Sequence, residues 1–234
     1  MSIYHLHIPR TAGIYLNNNV LPHLISGGVE HFASNRSIID PEKIKSSRYV
    51  AGHFGLTPLE LMENPVVFSV LRDPVERFIS YFKYTTGSVK TKSEIYQKLD
   101  YWLYGEQSEI QSNMQSKFLT GYMNFDKFNQ GVNMFQKAVY EGWYIENYSL
   151  DINTIKANID LFNCYTLDNH EKFKEDYNNE LNNQFGFTTF KYSDKANRSQ
   201  DLGIEITKGQ INRIQEMNSI DMEAYEYVQK TQKR

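Results

Sequence analysis

The chain has 234 residues and 27.5 kDa, which gives room for one large domain with a proper core. Hydrophobic residues make up 40% and charged residues 23%, a globular composition that excludes a wholly disordered chain. The 25 basic and 28 acidic side chains leave a net charge of −3 and no general basic field for nucleic acid, so any anion site must be built locally.

Taken in chain order, the first expected element is a short strand over Ile3–Ile8, ended by Pro9. A glycine-containing turn at Arg10–Gly13 and a helix over Ile14–Ile25 follow, the opening unit of an α/β domain. Arg48–Gly52 reads as a second strand, ending at Gly52-His53. Thr57-Pro58-Leu59-Glu60 has the pattern of a capping box with proline at the first helical position, and Pro65 closes that helix. Val66–Leu71 is a continuous apolar run, as in a strand buried on both faces. After Arg72-Asp73-Pro74, the residues Val75, Phe78, Ile79 and Phe82 recur at helical spacing.

The stretch from Ser93 to Asn147 is helical in character, rich in aromatics and without strand alternation. Asp160–Leu167 reads as a third major strand, and His170–Phe185 as a charged helix stopped by Gly186. A polar loop over Tyr192–Asp201 leads to two terminal helices divided near Asn218-Ser219. With no internal repeat and no linker, residues 1–234 form one domain. Strands alternating with helices imply a three-layer α/β fold around a mainly parallel sheet.

The single cysteine, Cys164, can form no intrachain disulfide and no thiolate metal cage, and reads as a small buried hydrophobe. No segment approaches the ~20 consecutive apolar residues of a membrane span. MSIYHLHIPR has no basic leader before an apolar run, so the expected compartment is the cytoplasm, with no membrane partner.

Two turns carry candidate chemistry. His7-Ile-Pro-Arg-Thr-Ala-Gly13 follows the first strand, where an open parallel sheet places its ligands, and offers a cation, a hydroxyl and backbone N–H groups. An ordinary strand–helix turn with one exposed arginine accounts for the same residues. The lysine-serine ending of a triphosphate loop is absent, which disfavours a kinase. The second turn ends the apolar strand at Arg72, whose guanidinium can grip a phosphate through two parallel N–H bonds, with Ser80 two helical turns along. Asp73 and Arg77, four residues apart, are expected to pair and cap the helix, leaving Arg72 to the ligand.

HIPRTAG followed by VVFSVLRDPVERFISYF resembles the two nucleotide signatures of sulfotransferases that use 3′-phosphoadenosine-5′-phosphosulfate (PAPS). The nearest flavour is the carbohydrate group, which includes the heparan sulfate 2-O- and 6-O-sulfotransferases and their bacterial relatives. The order of elements agrees over nearly the whole chain. The resemblance implies that Arg10, Thr11, Ala12 and Gly13 hold the 5′-phosphosulfate, and that Arg72 and Ser80 hold the 3′-phosphate. It implies that Lys195, Arg198 and Ser199 close over the nucleotide, and that Gln115 and Lys117 face the acceptor. His53, in Val-Ala-Gly-His-Phe, aligns with the base of the 2-O and 6-O enzymes, and Arg10 would neutralise charge growing on the leaving phosphate. The implied reaction moves a sulfuryl group to a hydroxyl, on a glycan or small sugar, and releases 3′-phosphoadenosine 5′-phosphate (PAP) without a metal.

Two departures stand out. Arg10 replaces the family's usual lysine, and Ile14 and Tyr15 replace small hydroxyl residues. A catalytically degenerate nucleotide- or glycan-binding protein of the same fold is the rival reading. Of the six histidines, His5 and His7 alternate on one strand face and suit core or supporting roles, since no carboxylate pair accompanies them. His23, His31 and His170 lie in ordinary contexts. Only His53 has a specific functional reading. The aromatic stripe Tyr96–Tyr104 is expected to pack into a helix core.

Overall fold

The computed structural model describes residues 1–11, 13, 19–34, 39–87, 91–130, 144–187 and 202–232, of Gln130 the backbone alone. Its centre is a five-stranded, all-parallel sheet in the order β2-β3-β1-β4-β7, built from β1 (Ile3–Leu6), β2 (His31–Ser34), β3 (Tyr49–Gly52), β4 (Val66–Leu71) and β7 (Asn163–Thr166). Alternation along the strands divides the core in two. Tyr4, Leu6, Val50, Val67 and Leu71 belong to one buried cluster, and Ile3, Tyr49, Ala51, Phe68, Val70 and Tyr165 to the other. Helices cover both faces, giving the three-layer parallel α/β arrangement that the pattern implies.

The helices are α1 (Leu21–Ser26), α2 (Pro41–Ser46), α3 (Thr57–Leu61), α4 (Pro74–Thr86), α5 (Lys92–Tyr104), α6 (Gln107–Gln111), α7 (Met114–Thr120), α8 (Phe125–Gln130), α9 (Ile152–Leu161), α10 (His170–Phe185), α11 (Lys208–Met217) and α12 (Ser219–Thr231). α1 and α10 pack on the second cluster through Leu24, Phe173, Tyr177 and Leu181. α4, α5, α7, α9, α11 and α12 pack on the first. α4 starts because Asp73 accepts a hydrogen bond from Glu76 N and Pro74 occupies the first turn. α10 ends at Gly186, whose φ of 73° is the left-handed stop glycine permits.

Several expectations need correction. β2 and α2 were not foreseen. The third major strand begins at Asn163, because Asp160 and Leu161 are still in α9 and Phe162 caps it. Residues 93–147 do contain strand: β5 (Tyr122–Met123) pairs antiparallel with β6 (Ile145–Glu146). α3 has no capping box, since the Thr57 hydroxyl donates to Met123 O and accepts from Met123 N instead. On α5 only Trp102, Leu99, Leu103 and Ile95 enter the core, while Tyr96, Tyr101 and Tyr104 are exposed. Of the helix expected over 14–25, residues 14–18 lie outside the described residues, as do Ala12, Ile14, Tyr15, Lys195, Arg198 and Ser199. Cys164 is buried and free, with its thiol pushed up to about 12 by burial. Among the described residues no helix is long and apolar enough to cross a membrane.

Candidate active site at the carboxyl edge of the sheet

The strand order fixes where a ligand belongs. The chain leaves β1 toward β2 on one side, and leaves β4 toward β7 on the other, so the connections diverge between β1 and β4. Such a switch point opens a crevice beyond the carboxyl ends of the strands. The turns that rim it begin at His7 and at Arg72.

The first turn is tightly held. His7 N donates to Gly52 O, and the Thr11 hydroxyl donates to Ile8 O at 2.9 Å, so Thr11 is spent on shaping the turn. Arg10 adopts a φ of 72°, in the left-handed region that costs a side-chain-bearing residue energy. The His7 ring lies against Gly13: a Cβ there would sit 2.1 Å from His7 Cε1, so only glycine fits.

Arg10 reaches across the crevice to α4. Its Nε donates to Ser80 Oγ at 3.1 Å, and its Cζ stands 4.9 Å from the centre of the Tyr84 ring. Arg72 approaches from the second turn, with Nε and Nη2 donating to Glu76 Oε2 at 3.3 and 3.2 Å. Burial lowers the Arg10 pKa, and the nearby Arg72 charge lowers it further, against opposing pulls from Tyr84 and Tyr81. Two guanidiniums thus share one crevice, and among the described residues only Arg72 has a carboxylate partner, the well-exposed Glu76. That donor set fits a phosphate or sulfate group.

The expected Asp73–Arg77 pair does not form. Asp73 turns to the helix start, while Arg77 is completely buried and donates to Met114 Sδ and Gln111 O. Arg72, expected to be free of ion pairs, is the residue that makes one. Gln115 clamps the Arg72 main chain: Oε1 accepts from Arg72 N and Nε2 donates to Arg72 O, both at 2.9 Å. Lys117 is buried against α6, its Nζ donating to Glu109 O and standing 5.1 Å from the Tyr148 ring. Burial lowers its pKa.

His53 follows β3 on the same edge. It is half-buried, with its ring 4.4 Å from that of His7 and 6.3 Å from Phe118. Behind it His7 and His5 are buried, and each has Nε2 without a hydrogen-bond partner among the described residues. Burial first, and then the neighbouring His53, holds the His5 pKa down to about 3 and the His7 pKa well below its ordinary value. Both imidazoles are therefore neutral. His5 Nδ1 meets the Tyr177 hydroxyl at 3.3 Å, and Tyr177 meets Tyr49 at 2.8 Å, which anchors the imidazole row in the core.

Sequence reasoning missed Glu76 and Tyr84. They lie four residues either side of Ser80, so Glu76, Ser80 and Tyr84 share one face of α4. That spacing was available in the sequence. Among the described residues no group of three or more His, Cys, Asp or Glu side chains could hold a metal ion.

No protein-family model and no curated protein matches the sequence. Among solved structures, the crystal structure of a sulfotransferase from Alicyclobacillus acidocaldarius superposes over 100% of this chain and 99% of its own, at 10% identity and a TM-score of 0.47.

Proposed function

We propose that this chain is a PAPS-dependent sulfotransferase that moves a sulfuryl group to a hydroxyl, on a carbohydrate acceptor. One observation carries the reading: Arg10 and Arg72 converge at the switch-point crevice beside Ser80, from the two turns whose sequences resemble the nucleotide signatures. A net-acidic protein that gathers like charges at one sheet edge needs an anion there. Bound PAPS supplies an activated sulfuryl group. His53, beside that crevice just after β3, takes the proton of the acceptor hydroxyl as the new O–S bond forms, and PAP leaves with the electrons of the broken S–O bond. The Ala12 and Gly13 end of the first turn and the Lys195, Arg198 and Ser199 segment are assigned to the nucleotide by the resemblance, and Gln115 supports the site by holding Arg72.

The test is transfer of labelled sulfate from PAPS to a panel of sugars, with PAP binding followed by calorimetry. His53→Ala should lower turnover by about two to four orders of magnitude and leave PAP affinity nearly unchanged. Equal turnover in His53→Ala removes His53 as the base. PAP binding with no transfer to any acceptor points to the binding-only protein.

A further inference from the structure

Arg10 is held by a helix far from it in sequence. Its Nε donates to Ser80 Oγ and its Cζ lies over the Tyr84 ring, and both residues lie on the α4 face that also carries Glu76, the partner of Arg72. One face of α4 therefore holds two guanidiniums, one from each turn. A guanidinium carries five N–H donors. With Nε–H given to Ser80, the terminal nitrogens of Arg10 have no hydrogen-bond partner among the described residues.

We propose that Arg10 reads the 3′-phosphate of the nucleotide together with Arg72 and Ser80, and is not a 5′-phosphosulfate ligand. The inference rests on the PAPS reading above and sharpens it. Three features support it. The side chain is directed to α4, whose Ser80 is the hydroxyl assigned to the 3′-phosphate. Among the described residues Arg10 and Arg72 have one carboxylate partner, Glu76 on Arg72, which leaves one guanidinium charge unpaired. A phosphate monoester carrying about −1.5 to −2 charges counters that excess and relieves the repulsion between the guanidiniums. Finally, the left-handed backbone at Arg10 is a local cost that aims this one side chain across the crevice. The 5′ group is left to the rest of the first turn. Arg10 then acts on nucleotide affinity, and its loss raises the KM for PAPS more than it lowers kcat.

The experiment is calorimetric titration of the full chain with PAP and with adenosine 5′-phosphate, which lacks only the 3′-phosphate. Arg10→Gly suits the test, since a φ of 72° is ordinary for glycine and the turn keeps its course. Arg10→Gln, uncharged and of similar length, is titrated alongside and carries the same outcomes. The parent should prefer PAP. Each variant should weaken PAP by about tenfold to a hundredfold, the range of a charge-assisted hydrogen-bonded contact, and change adenosine 5′-phosphate by less than about twofold. Ser80→Ala combined with Arg10→Gly should cost less than the product of the single effects, because the two side chains act as one unit. If both nucleotides weaken by the same factor, Arg10 serves the 5′ side and the inference fails while the PAPS reading stands. A parent that binds both nucleotides alike, or neither, overturns the PAPS reading itself.

Discussion

Two arginines meet on α4 and are treated in opposite ways. Arg77 is fully buried within the helix, and the negative charge that answers it is also fully buried: Asp221 at the start of α12. That carboxylate accepts from Gln115 N, Ser116 N and the Ser116 hydroxyl at 2.9, 2.7 and 2.6 Å, so it caps α7 as well. Arg10, on the other side, is half-buried beside a second arginine and has no carboxylate of its own among the described residues. The interior network keeps its charges inside the chain, although Arg77 Nε has no hydrogen-bond partner among the described residues. The sheet-edge network is open, and an open cationic pair in a crevice belongs to a ligand.

The comparison breaks most visibly at Asp221. Burial pushes its pKa up, against the downward pull of Ser116 and Arg77, and burial likewise pushes Arg77 down. The two charges make no direct ion-pair contact, and they cost the fold desolvation that their attraction only partly returns. Removing one member is worse, since it leaves the other charge buried and alone. Asp221→Ala should cost about 3–5 kcal/mol in urea unfolding, since it strands the buried Arg77 charge and three buried hydrogen-bond donors. A loss under about 1 kcal/mol, the size of an exposed ion pair, would mean that the interior network is no more closed than the edge.

The next effect is acid-side loss of stability from the imidazoles behind His53. His5 has a folded pKa of about 3, and His7 is also lowered well below its ordinary value, both chiefly by burial. Below about pH 6.5 the unfolded chain takes up protons that the native state refuses, so stability falls as the pH falls. From pH 7 to 5.5 each histidine should cost about 1 kcal/mol. Asp221 runs the other way: its raised folded pKa lets the native state bind a proton first and adds stability as the pH falls. His5→Phe isolates the imidazole, and should remove about 1 kcal/mol of the loss measured by urea unfolding at the two pH values. An unchanged slope would place the proton uptake elsewhere.

The same contrast explains what could be read from the sequence. The β4–α4 segment was legible because its signals are local: a continuous apolar strand, Asp73-Pro74 at the helix start, and apolar residues at helical spacing. Arg10, Arg72 and Ser80 could each be singled out, but their convergence could not, since Arg10 and Ser80 are 70 residues apart. Gln115 holds Arg72 across 43 residues, and Asp221 caps Ser116 across 105. No local pattern encodes such pairs. The Asp73–Arg77 expectation failed for a physical reason. A residue at a helix start turns its carboxylate to free backbone N–H groups, and Arg77 lies on the buried face. β2 was overlooked because an edge strand as short as His31–Ser34 carries almost no pattern. The exposed tyrosines of α5 show the converse, since aromatic content alone does not reveal which helix face is covered.

The smallest expected effect separates strain from contact at Arg10. Arg10→Ala and Arg10→Gly delete the same guanidinium, the same Ser80 hydrogen bond and the same contact with Tyr84. They differ in the backbone, because alanine keeps the Cβ that makes a φ of 72° costly and glycine removes it. The left-handed conformation costs a side-chain-bearing residue about 1–2 kcal/mol, and the greater freedom of glycine in the unfolded chain returns part of that advantage, about 0.5–1 kcal/mol. Arg10→Gly should therefore be more stable than Arg10→Ala by about 0.5–1 kcal/mol in urea unfolding. Against the parent, the glycine variant loses a partly exposed hydrogen bond and a cation–π contact and sheds both the strain and the repulsion from Arg72, so it should stay within about 1 kcal/mol. Set beside Asp221→Ala, this marks the difference between a buried charge the fold depends on and a cation the fold merely carries. If Arg10→Gly instead lost as much stability as Asp221→Ala, Arg10 would be a structural residue like Arg77, and the crevice would lose its claim to an anion.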